Sequence, residues 1–249
     1  MRIAIDIDGT LCWANLPVFL DECNRQFHLN VDSATLGSLE TKEAFYALPE
    51  VQAVRSDHPY LEDELAWIEY RERCILASLP LDNAAEGVAK LGAIGDITYY
   101  TSRYCEEPKI QIEIEQSTKK WLKLYRFSNK PKIIFCNRIQ GKVLEILNIA
   151  KSEYTILIDD SYVRVIEEIH RLKSHEYAVL QERLLLVAMR AYDYELPLSG
   201  LNLVALPSWE DLENILERIL MHGRQSKTAE TTRDSKAAKA PGNTQAEPI

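Results

Sequence analysis

Seven residues could do chemistry together if the fold gathers them. They are Asp6 and Asp8 in the run Ile3-Ala4-Ile5-Asp6-Ile7-Asp8-Gly9-Thr10, the pair Thr101-Ser102, Lys142, and Asp159-Asp160 after Ile156-Leu157-Ile158. Side chains at i and i+2 of a strand point the same way, so Asp6 and Asp8 are expected to share a face. Gly9 then permits a sharp turn. Two carboxylates at the end of a buried strand repel each other and need a cation. Hard oxygen ligands suit Mg²⁺. A lysine ammonium adds a second compact positive charge, and a hydroxyl with backbone amides can hold further oxygens. This is the set required to move a phosphoryl group through a carboxylate nucleophile. The cation and lysine neutralise the phosphoryl charge. One aspartate attacks, and the other moves the proton.

The elements needed to position these residues are legible. The pattern predicts strands over 3–5, 96–100, 132–136, 154–158, 184–187 and 203–205. Helical patterns follow most of them, including one from the N1-type Pro108 to about Tyr125, one opened by Gly141-Lys142 and one over 163–172. The apolar run before Asp159 has no polar alternation, as expected of a strand buried on both faces. Alternating strands and helices imply an α/β fold with a parallel sheet flanked by helices. In such sheets ligands sit at the carboxyl ends of the strands. Asp6, Asp8, Thr101, Ser102, Asp159 and Asp160 all fall at such ends.

Residues 13–80 interrupt this rhythm after the first strand. They read as a small all-helical insert without a strand of its own: a helix capped by Asn15, a short piece over 42–48 stopped by Pro49, and a longer one from Asp57 or His58 to Pro80. The expected division is a core over 1–12 and 81–221, the insert over 13–80, and a disordered tail over 222–249 without hydrophobic periodicity. The insert's aromatics, Trp13, Phe19, Phe45, Tyr46, Tyr60, Trp67 and Tyr70, read chiefly as core, with one or two open to face a substrate.

Composition bounds the rest. The 249 residues are 46% hydrophobic and 27% charged, which supports a packed core. The formal net charge of −9 disfavours long nucleic acid as a partner. No apolar run is long enough to predict a membrane span, and the N-terminus does not read as a signal peptide. The five cysteines (Cys12, Cys23, Cys74, Cys105, Cys136) form no CxxC pair, as expected of reduced thiols in a cytoplasmic protein. Cys12 reads as a packing residue. His28, His58, His170, His175 and His222 form no ligand cluster and read as surface residues.

The ordered set of DIDGT, a strand ending in Thr101-Ser102, a helix-opening lysine and an apolar strand ending in IDD resembles the haloacid dehalogenase-like hydrolases. The resemblance covers residues 1–221, with the insert in the position of a type 1 helical cap. Within that superfamily the compact insert, the ILIDDS run and the SWEDL ending resemble the deoxyribonucleotidase-like 5′-nucleotidases. The resemblance implies a Rossmannoid core and a Mg²⁺-dependent phosphomonoesterase acting on a small phosphorylated metabolite. It implies Asp6 as nucleophile and metal ligand, and Asp8 as general acid/base that ligates the metal through its carbonyl. Thr101 would be the phosphate-binding hydroxyl, with Ser102 the other candidate, and Lys142 the phosphate-neutralising lysine. Asp159 would be a metal ligand, with Asp160 ligating through water or in support. Lys119, Lys120, Lys130 and Lys132 are alternatives to Lys142, but two read as mid-helix and two lie at the wrong edge of the sheet. Arg103 and Arg138 are further candidates for holding an anion. A phosphotransferase or sugar-phosphate mutase uses the same motifs, and a non-catalytic binding protein retaining the fold is a reading from another class.

Overall fold

The structure is a computed structural model that describes residues 1–55, 58 and 60–222. Its centre is a parallel sheet of six strands: β1 (Arg2–Asp6), β4 (Asp96–Thr101), β5 (Ile133–Phe135), β6 (Thr155–Asp159), β7 (Leu184–Met189) and β8 (Asn202–Leu206). Their order is β5-β4-β1-β6-β7-β8, so the first strand lies between two that follow about ninety and a hundred and fifty residues later. Ile5 is paired with Tyr99 on one side and Ile158 on the other. That register puts the carboxyl ends of β1, β4 and β6 side by side.

The sheet's alternation sorts its side chains into two cores. Ile3, Ile5, Tyr99, Ile156, Ile158, Leu185 and Val187 pack on one face against helices α7 (Ala84–Gly92), α8 (Pro108–Leu124) and α12 (212–222). Ala4, Tyr100, Leu157, Leu184 and Leu186 pack on the other against α9 (Arg138–Ala150), α10 (Tyr162–His170) and α11 (Ser174–Arg183). Each large apolar side chain so buried contributes about 1.5–3 kcal/mol. Asp6 shares the parity of Ala4, so the strand aims it toward the α9 side.

The insert has a core of its own, built on Phe19, Leu20, Cys23, Phe45, Leu61, Leu65 and Ile68. Helix α1 (Leu16–Gln26) is capped as expected, with Asn15 Oδ1 accepting from the Val18 amide at 3.3 Å. The short helices α2 (Ser33–Ser38), α3 (Lys42–Tyr46), α4 (Pro49–Val54), α5 (Leu61–Ile68) and α6 (Glu72–Ala77) follow. Three expectations are corrected here. Pro49 opens a helix rather than only ending one, because the first turn of a helix has no need of its amide. The expected long helix divides into α5 and α6 between Ile68 and Glu72. The insert also has strand at its base: β2 (Cys12–Trp13) and β3 (Leu79–Pro80) pair antiparallel and close its two ends together.

Helix α6 is fastened to core helix α8 by the Trp121 indole N–H, which donates to the Ser78 carbonyl at 2.9 Å, and by Lys120–Glu72 at 3.2 Å. Two further corrections concern the carboxyl half. Helix α11 was not expected, and His222 belongs to α12, where it is buried rather than on the surface. Trp13, Tyr60 and Trp67 are exposed rather than core. The expected tail lies outside the described residues from 223 on, as do Asp57 and Pro59, where the long helix was expected to begin. Among the described residues no helix is long and apolar enough to cross a membrane, and all five cysteines are free thiols.

Candidate active site

The site forms where β1, β4 and β6 end. Asp6 is the last residue of β1 and Asp159 the last of β6. Lys142 lies in the second turn of α9, because that helix begins at Arg138 rather than at Gly141. Its ammonium donates to Asp6 Oδ1 at 2.7 Å and to Asp159 Oδ2 at 2.8 Å, and all three side chains are buried. The alternative lysines are elsewhere: Lys119 and Lys120 pair with Glu115 and Glu72.

Burial raises the Asp6 carboxyl well above its ordinary value; Lys142 opposes the rise, while Asp159 and Asp8 add to it. Burial alone would lower Lys142, but the charges of Asp159 and Asp6 outweigh it and hold the ammonium above its ordinary value. Asp160 is also raised, first by burial and then by Asp159. Asp6, Asp159 and Asp160 each offer a carboxylate oxygen, all within 4.8 Å of one another. Asp6 and Asp159 share one lysine, and the only cation that Asp160 meets among the described residues is the half-exposed Arg190 at 3.8 Å, so a further cation fits the charge. An all-oxygen set suits a hard divalent ion.

Gly9 makes the approach of Asp160 possible. Its φ is +76°, and a Cβ there would lie 2.2 Å from Asp160 Oδ2. Thr10 joins the same two segments: its hydroxyl lies 3.4 Å from Asp160 Oδ1 and accepts from the Asp160 amide at 3.1 Å.

Asp8 departs from the expected geometry. The strand ends at Asp6, so Asp8 leaves it and turns to a different set of partners. Arg103 Nη2 donates to Asp8 Oδ1 at 2.6 Å, and Nε donates to Oδ2 at 3.0 Å. Arg103 is 2% exposed, whereas the Asp8 side chain keeps 49% of its surface open toward the cavity. Arg103 is therefore a buried holder of Asp8, not an arginine free to meet an anion. Burial works against its charge, but Asp8 prevails and keeps the guanidinium above its ordinary value. Thr118 accepts from its other arm at 3.2 Å. The only hint in the sequence was an arginine two residues past a strand end where acids gather.

Thr101 is likewise committed. Its hydroxyl donates to Asp8 Oδ2 at 3.2 Å and accepts from the Arg103 amide at 3.2 Å. Thr101 is fully buried, whereas Ser102 lines the cavity. Cys12 lies behind Asp8, and burial with the Asp8 charge pushes its thiol up to about 12, so it stays protonated.

In front of these residues is a cavity of about 740 Å³, lined by Asp6, Asp8, Lys142, Ser102, Tyr70 and Arg138 among others. A second cavity of about 680 Å³ adjoins it, sharing Tyr70, Ser102 and Arg138 and adding Trp67 and Tyr104. Tyr70 comes from the insert, between α5 and α6. The insert therefore contributes a wall of the site, with Tyr70 among those of its aromatics that face the cavity.

No protein-family model matches the sequence, and no curated protein matches it. Solved structures do match. A haloacid dehalogenase-like hydrolase from Burkholderia xenovorans LB400 superposes with a TM-score of 0.50 at 16% identity, over 88% of this chain and 97% of that one. The chain has a haloacid dehalogenase-like fold. A hydrolase of that superfamily from Geobacter sulfurreducens PCA, subfamily IA, variant 1, gives a TM-score of 0.49 at 14% identity, over 86% of this chain and 95% of that one. At such identities the likeness is one of fold. The haloacid dehalogenase-like fold accounts for the parallel sheet and the order of its motifs; the chemistry of the site rests on the geometry above.

Proposed function

We propose that the protein is a Mg²⁺-dependent phosphomonoesterase that works through an aspartyl phosphate on Asp6. The observation that carries this reading is the buried Asp6–Lys142–Asp159 contact with Asp160 beside it at the carboxyl edge of the sheet. Asp6 presents Oδ1 to Lys142, and Oδ2 accepts no hydrogen bond from a described residue, which leaves it the oxygen for attack.

Asp6 Oδ2 bonds to phosphorus as the ester P–O bond breaks. Asp8, which opens on the cavity, takes up a proton from water there and passes it to the departing alcohol oxygen. Asp8 then takes a proton from water as that water attacks phosphorus, the Asp6–phosphorus bond breaks, and inorganic phosphate leaves. Arg103 holds Asp8 in reach of both oxygens in turn. Ser102 is the hydroxyl that faces the phosphoryl oxygens, and Thr101 supports Asp8 from behind. Mg²⁺ held by Asp6, Asp159 and Asp160, with the Asp8 carbonyl, would neutralise charge on the phosphoryl group. The insert acts as a type 1 cap, limiting the substrate to a small molecule and excluding water.

A nucleoside 5′-monophosphate falls within this class. The adjoining recess suits a nucleotide in general, since Trp67, Tyr70 and Tyr104 offer aromatic surface to a planar base.

The test is release of phosphate from p-nitrophenyl phosphate and from a panel of nucleotides, sugar phosphates and phosphorylated acids, with and without Mg²⁺. Turnover that needs Mg²⁺ and disappears in Asp6→Asn, with the fold intact by circular dichroism, supports the reading. Wild-type turnover in Asp6→Asn overturns it.

A further inference from the structure

Positive charge gathers in one place where this acidic chain has no structural need of it. The cavity in front of Asp6 is also lined by Arg138, Arg164 and Arg171, in a protein of formal net charge −9. Arg171 is neutralised by Glu168, which lines the same cavity. The side chains of Arg138 and Arg164 have no hydrogen-bond or ion-pair partner among the described residues. Lys142 cannot supply their role, because Asp6 and Asp159 already hold its ammonium.

Neither arginine serves its own helix. Arg138 is the first residue of α9, and Arg164 is in the first turn of α10. A cation in a first turn opposes the helix dipole, and neither first turn contains an acidic residue to offset it. Arg138 also has φ +62°, a conformation that side chains of its size seldom adopt and that recurs at ligand sites. It stands where the two cavities meet, since it lines both.

We propose that the substrate carries a second anionic group besides the phosphoryl group presented to Asp6, and that Arg138 and Arg164 bind it. The substrate class is a phosphomonoester that also bears a carboxylate or a second phosphate. A guanidinium matches either group through paired N–H donors. Both side chains are exposed and solvated at the cavity wall, and Glu106 and Glu107, which line the adjoining recess with Arg138, do not pair with it, so both guanidiniums are open to an anionic group of the substrate. This inference rests on the phosphomonoesterase reading for the place of the first phosphoryl group.

The test measures binding rather than turnover, so it does not depend on hydrolysis. Titration calorimetry on Asp6→Asn protein with Mg²⁺ compares matched probes: 3-phosphoglycerate against glycerol 3-phosphate for a carboxylate, and adenosine 3′,5′-bisphosphate against adenosine 5′-monophosphate for a second phosphate. At least one doubly anionic probe is expected to bind about tenfold tighter than its partner. That ratio should fall to about one when Arg138→Gln and Arg164→Gln are added. The arm that shows the preference tells carboxylate from phosphate. Equal affinity within both pairs, no measurable binding of either doubly anionic probe, or a preference that survives both substitutions overturns the inference. A preference lost with the arginines, in a protein whose wild type releases no phosphate from any probe, would leave the anion site standing and remove the hydrolase reading.

Discussion

Arg103 grips the carboxylate of Asp8 from a position almost wholly out of water, with Nη2 2.6 Å from Oδ1 and Nε 3.0 Å from Oδ2. The partner across this contact is 49% exposed. The pair thus joins a buried anchor to a group that opens on the cavity. It explains how Asp8 can sit beyond the end of its strand and still be fixed.

Arg103 is a positioning residue under this geometry. Arg103→Met should lower kcat for p-nitrophenyl phosphate about 100-fold, the scale of a displaced reacting group, with a smaller change in KM. Arg103→Lys should recover only part of it, since an ammonium cannot reproduce the fork. The converse change, Asp8→Ala, strands a buried guanidinium and should cost about 3 kcal/mol in urea denaturation. Adding Arg103→Met to Asp8→Ala should restore much of that loss. A double variant no more stable than Asp8→Ala would show that the pair is not what fixes Arg103.

Lys142 keeps two buried acids from facing each other. Lys142→Met should therefore abolish phosphate release and lower stability by about 3 kcal/mol in chelator. Mg²⁺ at a hundred times its Kd should stabilise wild-type protein by about 2.7 kcal/mol. It should stabilise Lys142→Met by more than wild type, because the ion replaces part of the missing charge. Asp159→Asn should lose most of the Mg²⁺ effect. Thermal unfolding with and without the ion reads all three, and an Asp159→Asn protein that keeps the full effect would move the metal elsewhere.

The two adjacent hydroxyls should separate cleanly. Thr101→Val removes a buried hydroxyl that both donates and accepts, and should destabilise the fold by about 1–3 kcal/mol. Ser102→Ala touches the cavity alone, so stability should change by less than about 0.5 kcal/mol while KM for a phosphomonoester rises. The opposite pattern, with Ser102→Ala structural and Thr101→Val affecting KM alone, would reverse their assigned places.

His222 should make the end of α12 sensitive to acid. Burial lowers its pKa from the ordinary histidine value, its Nε2 has no hydrogen-bond partner among the described residues, and its ring meets Tyr154 edge-on at 5.2 Å. A depressed folded pKa means the unfolded chain takes up the proton first. The histidine's contribution is therefore complete above about pH 6.5, the unfolded value, and is lost as the pH falls through the lower folded one. His222→Phe should flatten the fall in Tm across that window relative to wild type. Identical slopes would mean that the ring is not buried in solution.

The local pattern of the sequence was enough for the framework. Three apolar residues before Asp159 and three before Asp6 state their burial in their own composition, and strand–helix alternation allows a parallel sheet and little else. Lys142 was found because an α/β sheet brings helix beginnings to the same edge as strand ends. Local pattern failed where the local signal is weak or is overruled. Helix α11 buries only Leu180, so its stripe is faint. The β2–β3 ribbon is two residues long and pairs chain segments that only the closure of the insert brings together.

The sequence by itself determined that acids, a hydroxyl pair and a lysine would meet at one edge of a parallel sheet, because periodicity and chain order dictate which ends coincide. Only the tertiary structure decided how they divide the work. Asp6 went to Lys142 and Asp159, Asp8 to Arg103 and Thr101, and Ser102 was left facing the cavity. The contacts of Asp6 with Lys142 and of Asp8 with Arg103 and Thr101 join residues 93 to 136 positions apart and depend on side-chain direction at the ångström scale. Neighbours such as Thr101 and Ser102, or Asp6 and Asp8, differ little in a linear pattern. They differ greatly once one of each pair is turned into a packed interior and the other toward open space.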